Sequence, residues 1–230
     1  MVRAAFSASG TSTAPGPDGL TILHLRNLGP SGISCRAPFT ISLNKADIPA
    51  TWKSATISAI PKPGKPASNS SSYRLISLLS PLAKVLERLI LPFLQDHLPL
   101  SDTQHGFREQ RTTTSALLPL IQTIATGFNQ MRPPNRTVLM TTDFSKALDT
   151  VPHEDLLSQL ASSSLPHNVI RWLSGYLKDR QARCTYEGTV SPYKAVRAEV
   201  PQGSIISPVL FNFFCGKLPL LSSPDPLLRR

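Results

Sequence analysis

The sequence predicts a mixed α/β (α+β) fold, in which strands and helices alternate along the chain. Residues 52–66 alternate apolar and polar side chains before a Pro-Gly turn, the period of a half-buried strand, and residues 73–80 predict a second short strand or extended segment. Residues 81–98 instead repeat their apolar side chains at helical spacing. The chain also contains 22 prolines, which keep most helices short. Interleaved strands and helices of this kind are typical of mixed folds.

The N-terminal region is predicted to be loose at first and then helical. Residues 1–16 are rich in Ser, Thr, Ala and Gly. Residues 15–28 begin with a Pro-Gly-Pro-Asp-Gly turn and continue as a short amphipathic helix. Residues 41–48 predict a further helical segment that ends at Pro49.

Two longer helices follow the predicted strands. The helix over residues 81–98 has proline at its start, where proline is favoured, and Pro92 should kink it or end it. A second helix over residues 112–128 should be broken near Pro119. Residues 131–136 then predict a linker.

The second half predicts a buried strand, three helices and a hairpin. Residues 137–143 are rich in apolar and β-branched side chains, as expected for a buried strand. Asp149 and Thr150 precede Pro152, an arrangement that caps a helix reaching about residue 160. The remaining elements are a helix over 168–177, a hairpin over 183–200 around Gly188 and an apolar helix over 207–218.

Length and composition limit the class of protein. The 230 residues, 40% of them apolar, can bury one or two modest cores. A formal net charge of +10 favours a polyanionic partner, most simply nucleic acid, although a solvated basic surface has the same composition. The isolated cysteines, Cys35, Cys184 and Cys215, argue against a disulfide framework and for a reducing compartment.

The sequence predicts no membrane segment and no signal peptide. No apolar run reaches the length of about 18 residues that a membrane span needs. The N-terminus also lacks the apolar core of a secretory signal. We therefore expect an intracellular protein of the cytoplasm or nucleus, and nothing in the sequence fixes its oligomeric state.

One carboxylate is placed as a metal ligand would be. Residues 137–153 read TVLMTTDFSKALDTVPH, and Asp143 ends the predicted strand. A side chain fixed at a strand end can face a cleft and hold a metal ion, although an isolated Asp there is more often a turn or cap residue. Asp149, six residues on, is the better candidate for a helix cap than for a second ligand.

A second segment supplies a glycine turn. Residues 200–212 read VPQGSIISPVLFN, in which Gln202 and Gly203 precede an apolar run. Glycine at this point lets the backbone approach a ligand closely. An ordinary tight turn before a buried helix is an equally good interpretation of the segment alone.

Basic residues gather in two further segments. No acidic residue lies between Asp47 and Glu87. A tight turn with two lysines, opposed by an arginine on the next strand, can bind a triphosphate or a backbone phosphate, or it can be a solvated basic hairpin. The basic residues of this segment are Lys53, Lys62, Lys65, Arg74 and Lys84.

The second basic segment, QHGFREQRTTTSALL over residues 104–118, contains Arg108 and Arg111. These arginines could contact template phosphates or could cap and solvate a helix.

Together these segments resemble the reverse transcriptases of non-LTR (LINE-type) retrotransposons. Residues 143–149 are similar to the family's motif A, D-x-S-K-A-F-D, and residues 201–208 to its motif B. Residues 60–78 are similar to the fingers pattern I-P-K-x-G-K…Y-R-P-I-S-L, and residues 104–108 to Q-x-G-F-R. The resemblance runs from about residue 15 to residue 219. We use motif A for residues 137–153 and motif B for residues 200–212.

The resemblance implies an RNA-directed DNA polymerase that adds deoxynucleotides to a DNA primer on an RNA template, with two Mg²⁺ ions. It implies a right-hand polymerase fold with an N-terminal extension (1–50), fingers (51–130) and an incomplete palm (131–230), without a thumb. Asp143 would be the catalytic metal ligand, assisted by the carbonyl of Phe144. The nucleotide would lie against Arg74, Lys62, Lys65, Phe144, Leu148, Gln202 and Gly203, and nucleic acid against Lys53, Arg108 and Arg111.

Several positions depart from the family pattern. Leu148 replaces an aromatic side chain that acts as a steric gate against a ribose 2′-hydroxyl. Leu75 replaces a proline, Glu199 a glycine and Lys217 an aspartate. No Tyr-x-Asp-Asp segment, the family's motif C, precedes Arg230. We therefore expect a truncated domain that does not polymerise alone. The alternative is a non-catalytic remnant that binds RNA or DNA through its basic fingers.

Overall fold

The structure, a computed structural model, describes residues 5, 10, 14–27, 36–130 and 137–216. The chain forms two compact units, the first from residues 1–99 and 140–211 and the second from residues 100–139 and 212–230. Several features predicted from the sequence lie outside the described residues: most of the N-terminal region 1–16, Cys35, the linker 131–136 and the end of the last predicted helix, with Lys217.

A five-stranded sheet organises the first unit. Strand β1 pairs antiparallel with β2 and parallel with β3, and the two short strands β4 and β5 both pair antiparallel with β3. Ala55 lies opposite both Leu79 and Ala182, and these three side chains form a small buried cluster on the sheet. The strands are β1 (Ser54–Pro61), β2 (Tyr73–Leu79), β3 (Arg180–Tyr186), β4 (Thr189–Val190) and β5 (Lys194–Val196).

The described residues contain seven α-helices. They are α1 (Ile22–Arg26), α2 (Arg36–Lys45), α3 (Pro81–His97), α4 (Thr113–Phe128), α5 (His153–Ala161), α6 (His167–Leu177) and α7 (Ser207–Cys215). Three short 3-10 helices add to them: Ala50–Trp52, Ser70–Ser72 and Ala147–Thr150. The mixed class predicted from the sequence is confirmed, as are β1, β2 and the hairpin around Gly188.

Several helices contribute buried side chains to the core of the first unit. Trp172 and Leu173 of α6 are buried, as are Leu156 and Leu160 of α5. The Trp172 indole donates a hydrogen bond to Ser42 Oγ on α2 over 3.3 Å. Large buried aliphatic and aromatic side chains of this kind supply most of the stabilisation of a small domain.

The predicted break near Pro119 is wrong, since α4 runs past it. Helix α3 likewise does not end at Pro92, so a kink there stays a prediction. A proline removes one backbone donor but leaves the rest of the helix intact if other contacts hold it. In α3 the buried side chains of Ile90 and Leu94 lie on either side of Pro92.

None of the helices in the described ranges is long and apolar enough to span a bilayer.

Candidate nucleotide and nucleic-acid site

Motifs A and B meet in space although about fifty residues separate them in sequence. The Val200 amide donates to the Leu148 carbonyl over 2.9 Å, and the Glu199 amide donates to the Val151 carbonyl over 3.1 Å. A further bridge pairs Pro152 with the residue before Glu199. Backbone hydrogen bonds of this kind fix the register between the two segments.

A side-chain hydrogen bond completes the junction. Gln202 Nε2 donates to Asp149 Oδ1 over 2.7 Å. Asp149 is therefore not the helix cap that its position predicts. Helix α5 begins after Pro152, and no side chain caps it. The 3-10 helix Ala147–Thr150 carries Asp149 to face motif B instead.

The turn at Gly203 lies against strand β2. The backbone φ of Gly203 is +126°, which residues with a side chain rarely adopt. A Cβ placed there would lie 2.5 Å from the Ser77 carbonyl oxygen. The Ser77 amide donates to the Gln202 carbonyl over 2.8 Å. The sequence predicts that the backbone approaches a ligand at this glycine or forms an ordinary tight turn, and in the structure the backbone of Gly203 packs against β2.

Strand β2 therefore links the turn to the basic hairpin, by which we mean β1, β2 and the connecting residues 62–72. Arg74 lies three residues before Ser77 on β2, about 10 Å along the strand, and its side chain is exposed. The hairpin thus places Arg74 on the same strand that holds the Gly203 turn.

The two lysines at the tip of the basic hairpin differ in their contacts. The Lys62 amide donates to the Ser72 carbonyl over 2.8 Å, and its Nζ donates to the Ser71 carbonyl over 2.9 Å. Lys65 is exposed in the tight turn, next to Gly64 with φ +72°. Lys53 lies before β1 at the other end of the hairpin and is half-buried. Lys65 is consequently freer than Lys62 to contact a phosphate.

The prediction of a buried strand over residues 137–143 is wrong. The segment forms no strand, and its apolar side chains are exposed, with Val138 82%, Leu139 56% and Met140 70% accessible. An extended run becomes a stable strand only when a neighbour satisfies its backbone groups. Within the described ranges no strand pairs with it. Asp143 and Phe144 are consequently both exposed.

The two predicted template-contacting arginines lie in the second unit and have partners there. Arg108 donates to the Ser101 carbonyl over 2.7 Å and to the Gln104 carbonyl over 3.3 Å. Arg111 lies 3.8 Å from the Asp102 carboxylate. Both arginines therefore have partners among residues 101–104, which precede α4.

Comparison with known proteins identifies the family. The family model described as "Reverse transcriptase (RNA-dependent DNA polymerase)" matches residues 60–221. The chain belongs to the reverse transcriptase family.

Two relatives of this reverse transcriptase domain are named for a transposon and a mobile element. The chain is 37% identical over 175 residues, 74% of its length, to the "Probable RNA-directed DNA polymerase from transposon BS" of Drosophila melanogaster. It is 32% identical over 211 residues, 90% of its length, to the "RNA-directed DNA polymerase from mobile element jockey" of the same species. The chain spans 19% and 23% of these relatives' own lengths, respectively.

Reverse transcriptases as a family use divalent metal ions, but the described residues do not form a complete site for one. No group of three or more His, Cys, Asp or Glu side chains gathers in the described part of the chain. The sequence-predicted ligands, Asp143 and the Phe144 carbonyl, supply one carboxylate and one carbonyl oxygen. A magnesium site prefers near-octahedral oxygen coordination, so these two groups need further ligands.

Two acidic residues of the reverse transcriptase domain were not predicted as part of the site. Glu87 is 1% exposed on α3 and accepts hydrogen bonds from the end of the motif B turn. Its signal in the sequence is a charge on the apolar stripe of a helix, between Ala83, Ile90 and Leu94. The backbone φ of Glu199 is +121°. Burial raises the pKa of its carboxyl group, the positive charge of Arg180 lowers that pKa, and the negative charge of Asp149 raises it.

Proposed function

We propose that this chain is the nucleotide-binding and template-binding part of the reverse transcriptase of a non-LTR retrotransposon. The observation that carries the proposal is the position of the Gly203 turn, held by Asp149 of motif A and by Ser77 of the basic hairpin. Two segments distant in sequence, motif A and strand β2, converge on this turn. A packing turn would need no such convergence of polar groups.

Each segment has a role in this proposal. Gln202 and the backbone of Gly203 lie beside the incoming deoxynucleotide, and Leu148 lies near its sugar. Arg74 and Lys65 bind the triphosphate, as exposed cations in a hairpin can. Lys62 shapes the hairpin tip as well as adding charge. Asp143, with the Phe144 carbonyl, contributes to a Mg²⁺ site that the described residues alone do not complete.

The proposal extends to the nucleic acid and to the subdomains. Residues 51–130 act as the fingers and residues 131–230 as the palm, with residues 1–50 preceding them. Lys53 binds the RNA template and the DNA primer through phosphates, without reading bases, and Lys65 and Arg74 bind backbone phosphates when no triphosphate occupies them. Arg108 and Arg111 contribute less, because both already bind partners within their own unit. We infer that the protein acts in the cytoplasm or nucleus, where its templates occur.

We further propose that residues 1–230 assayed alone bind nucleic acid but do not extend a primer. Two metal ions held between attacking and leaving oxygens need several carboxylates close together. The described residues provide no such cluster, and the only acidic residue outside them, Asp225, is flanked by prolines. This supports the second candidate function, a non-catalytic RNA or DNA binder. Template-dependent extension by this chain, abolished by Asp143→Asn, would contradict it.

Titration of a fluorescent deoxynucleoside triphosphate in the presence of an annealed RNA template and DNA primer tests the nucleotide site. We expect Arg74→Ala to weaken binding about tenfold, because a charge-assisted hydrogen bond contributes about 1.5–3 kcal/mol. Lys178→Ala, which removes the same charge from an exposed position after α6, should have little effect. Equal weakening by both substitutions would indicate a general charge effect and no nucleotide site.

A further inference from the structure

A buried carboxylate lies directly behind the motif B turn. The Tyr176 hydroxyl donates to Glu87 Oε1 over 2.8 Å. Ser204 Oγ and the Ile205 amide donate to Glu87 Oε2 over 2.9 Å and 2.5 Å. Ser204 Oγ also accepts a hydrogen bond from the Ser207 amide, in the first turn of α7, over 3.2 Å. One carboxylate thus joins α3, α6 and the start of α7.

Stability alone does not explain a carboxylate at this position. Glu87 lies on the apolar stripe of α3, where an aliphatic side chain would pack without desolvating a charge. Taking a carboxylate out of water costs several kcal/mol, and replacing a buried charged group by an apolar one is often neutral or stabilising. Among the described residues Glu87 forms no salt bridge. Its oxygens accept three hydrogen bonds, and the ammonium group of Lys84, earlier on α3, adds an electrostatic attraction. What the carboxylate adds over an aliphatic group is a fixed direction for those donors.

The donors that Glu87 fixes belong to the segment that sets the nucleotide side of the site. Ser204 and Ile205 follow Gly203 directly. Ser77 holds the N-terminal side of the turn through the Gln202 carbonyl, and Glu87 holds the C-terminal side. Burial raises the pKa of the Tyr176 hydroxyl, so that group keeps its proton and remains a donor to Glu87.

We propose that Glu87 is a positioning residue for the incoming deoxynucleoside triphosphate. It acts through Ser204 and Ile205 to hold the turn in which Gln202 and Gly203 face the nucleotide. This inference rests on the proposed function of motif B. Glu87 does not touch the nucleotide, and its effect passes through the geometry of the turn.

Two variants and a control separate this role from a general structural one. Glu87→Gln keeps the size of the side chain but puts an amide donor where an acceptor is needed. Ser204→Ala removes one link and leaves Glu87 in place, so it carries the test if Glu87→Gln does not fold. Ser54→Ala is the matched control, because Ser54 is also buried and makes hydrogen bonds to Ala50 and Gln181 outside the motifs.

Amide hydrogen exchange and dATP affinity are measured on the full chain with annealed primer and template. We expect exchange across residues 202–207 to accelerate about tenfold in both test variants, and the Kd for dATP to rise about tenfold, as the removal of one charge-assisted hydrogen bond predicts. In both test variants, the amide exchange rate in α5 should change no more than it does in the Ser54→Ala control. In that control, exchange across residues 202–207 and the Kd for dATP should stay near the wild-type values.

Several outcomes would overturn the proposal. Equal acceleration in α5 and in the turn would make Glu87 an ordinary structural residue. A loosened turn with unchanged dATP affinity would show that the turn does not position the nucleotide. If the wild-type chain binds no dATP, the proposed function fails and the nucleotide role fails with it, whereas the exchange data separately report whether Glu87 holds the turn.

Discussion

The side-chain amide of Gln202 donates a hydrogen bond to the carboxylate of Asp149 over 2.7 Å, which joins motif B to motif A. Both side chains are half-buried, so water competes only partly for this contact. The backbone hydrogen bond from Val200 to Leu148 runs beside it. The two motifs therefore behave as one unit around the Gly203 turn.

A double-mutant cycle should detect this coupling. We expect Asp149→Ala and Gln202→Ala each to lower the free energy of unfolding, and their effects to be less than additive by about 1–2 kcal/mol, because either substitution breaks the same charge-assisted hydrogen bond. Urea unfolding of the wild type, both single variants and the double variant measures the coupling. Strictly additive effects would mean that the hydrogen bond between Gln202 and Asp149 contributes no coupling free energy to stability.

Gly203 should be far less tolerant of a side chain than another glycine with positive φ. Gly203→Ala places a Cβ 2.5 Å from the Ser77 carbonyl oxygen, whereas a Cβ at Gly64, φ +72°, meets nothing within 4 Å. We expect Gly64→Ala to cost about 1–2 kcal/mol from backbone strain alone. Gly203→Ala should cost about 2–5 kcal/mol, because overpacking adds to strain. Urea unfolding compares the two, and similar decreases in stability would contradict the close approach to β2.

Glu199 occupies a position where the family pattern has glycine, and its φ of +121° explains that preference. We expect Glu199→Gly to be more stable than Glu199→Ala by about 1–3 kcal/mol, since only glycine relieves the backbone strain. Both variants lack the carboxylate, so the difference between their free energies of unfolding reports the backbone strain at position 199. Thermal unfolding of the pair measures it, and an Ala variant as stable as the Gly variant would contradict the strain.

The raised pKa of Glu199 also predicts a pH dependence. A folded-state pKa above the ordinary value of 4.5 means that the folded chain holds this proton more tightly than the unfolded chain. Stability is therefore lost as pH rises from 4.5 through the folded pKa. Glu199→Gln should be more stable than wild type at neutral pH, and the difference should shrink towards the acid end of the folded range. A difference independent of pH would contradict this assignment.

The basic hairpin should bind nucleic acid through phosphates. Replacing Lys65 and Arg74 by Ala should weaken binding and flatten the slope of log affinity against log salt by about 0.7–0.9 for each phosphate that is no longer neutralised. Lys62→Ala should additionally loosen the hairpin tip, because its Nζ donates to Ser71. Fluorescence anisotropy with an RNA–DNA duplex at several salt concentrations measures both effects. An unchanged slope in the Lys65 and Arg74 double variant would exclude the hairpin as a phosphate-binding surface.

Local patterns in the sequence predicted most of the elements but fewer of the tertiary interactions. The alternation in β1 identifies a strand, and β1 and β2 both form because each pairs with the other. Residues 137–143 have the same apolar character, yet they form no strand, since pairing depends on a neighbour that local composition does not reveal. Local sequence likewise makes Asp149 resemble a helix cap, because its hydrogen-bond partner in the structure, Gln202, is distant in sequence.

Motif resemblance located the candidate site, whereas only the structure revealed the buried carboxylate of Glu87 that hydrogen-bonds to it. Gln202 and Gly203 were predicted as site residues from a short pattern, and the structure places them between motif A and β2. Glu87 carries no motif, and its role follows only from three donors that converge on a buried carboxylate. Such convergence depends on tertiary packing and cannot be read from spacing along the chain.

Photo-crosslinking tests most directly whether motifs A and B form the nucleotide side of a reverse transcriptase site. The 230-residue chain is irradiated with 4-thio-dTTP, an annealed RNA template and DNA primer, and Mg²⁺, and the labelled peptides are identified by mass spectrometry. We predict label on the peptides that contain residues 143–150 and 199–206, with unlabelled dTTP suppressing it and Gln202→Ala reducing it. Label scattered over surface lysines, unaffected by unlabelled dTTP, would contradict the account.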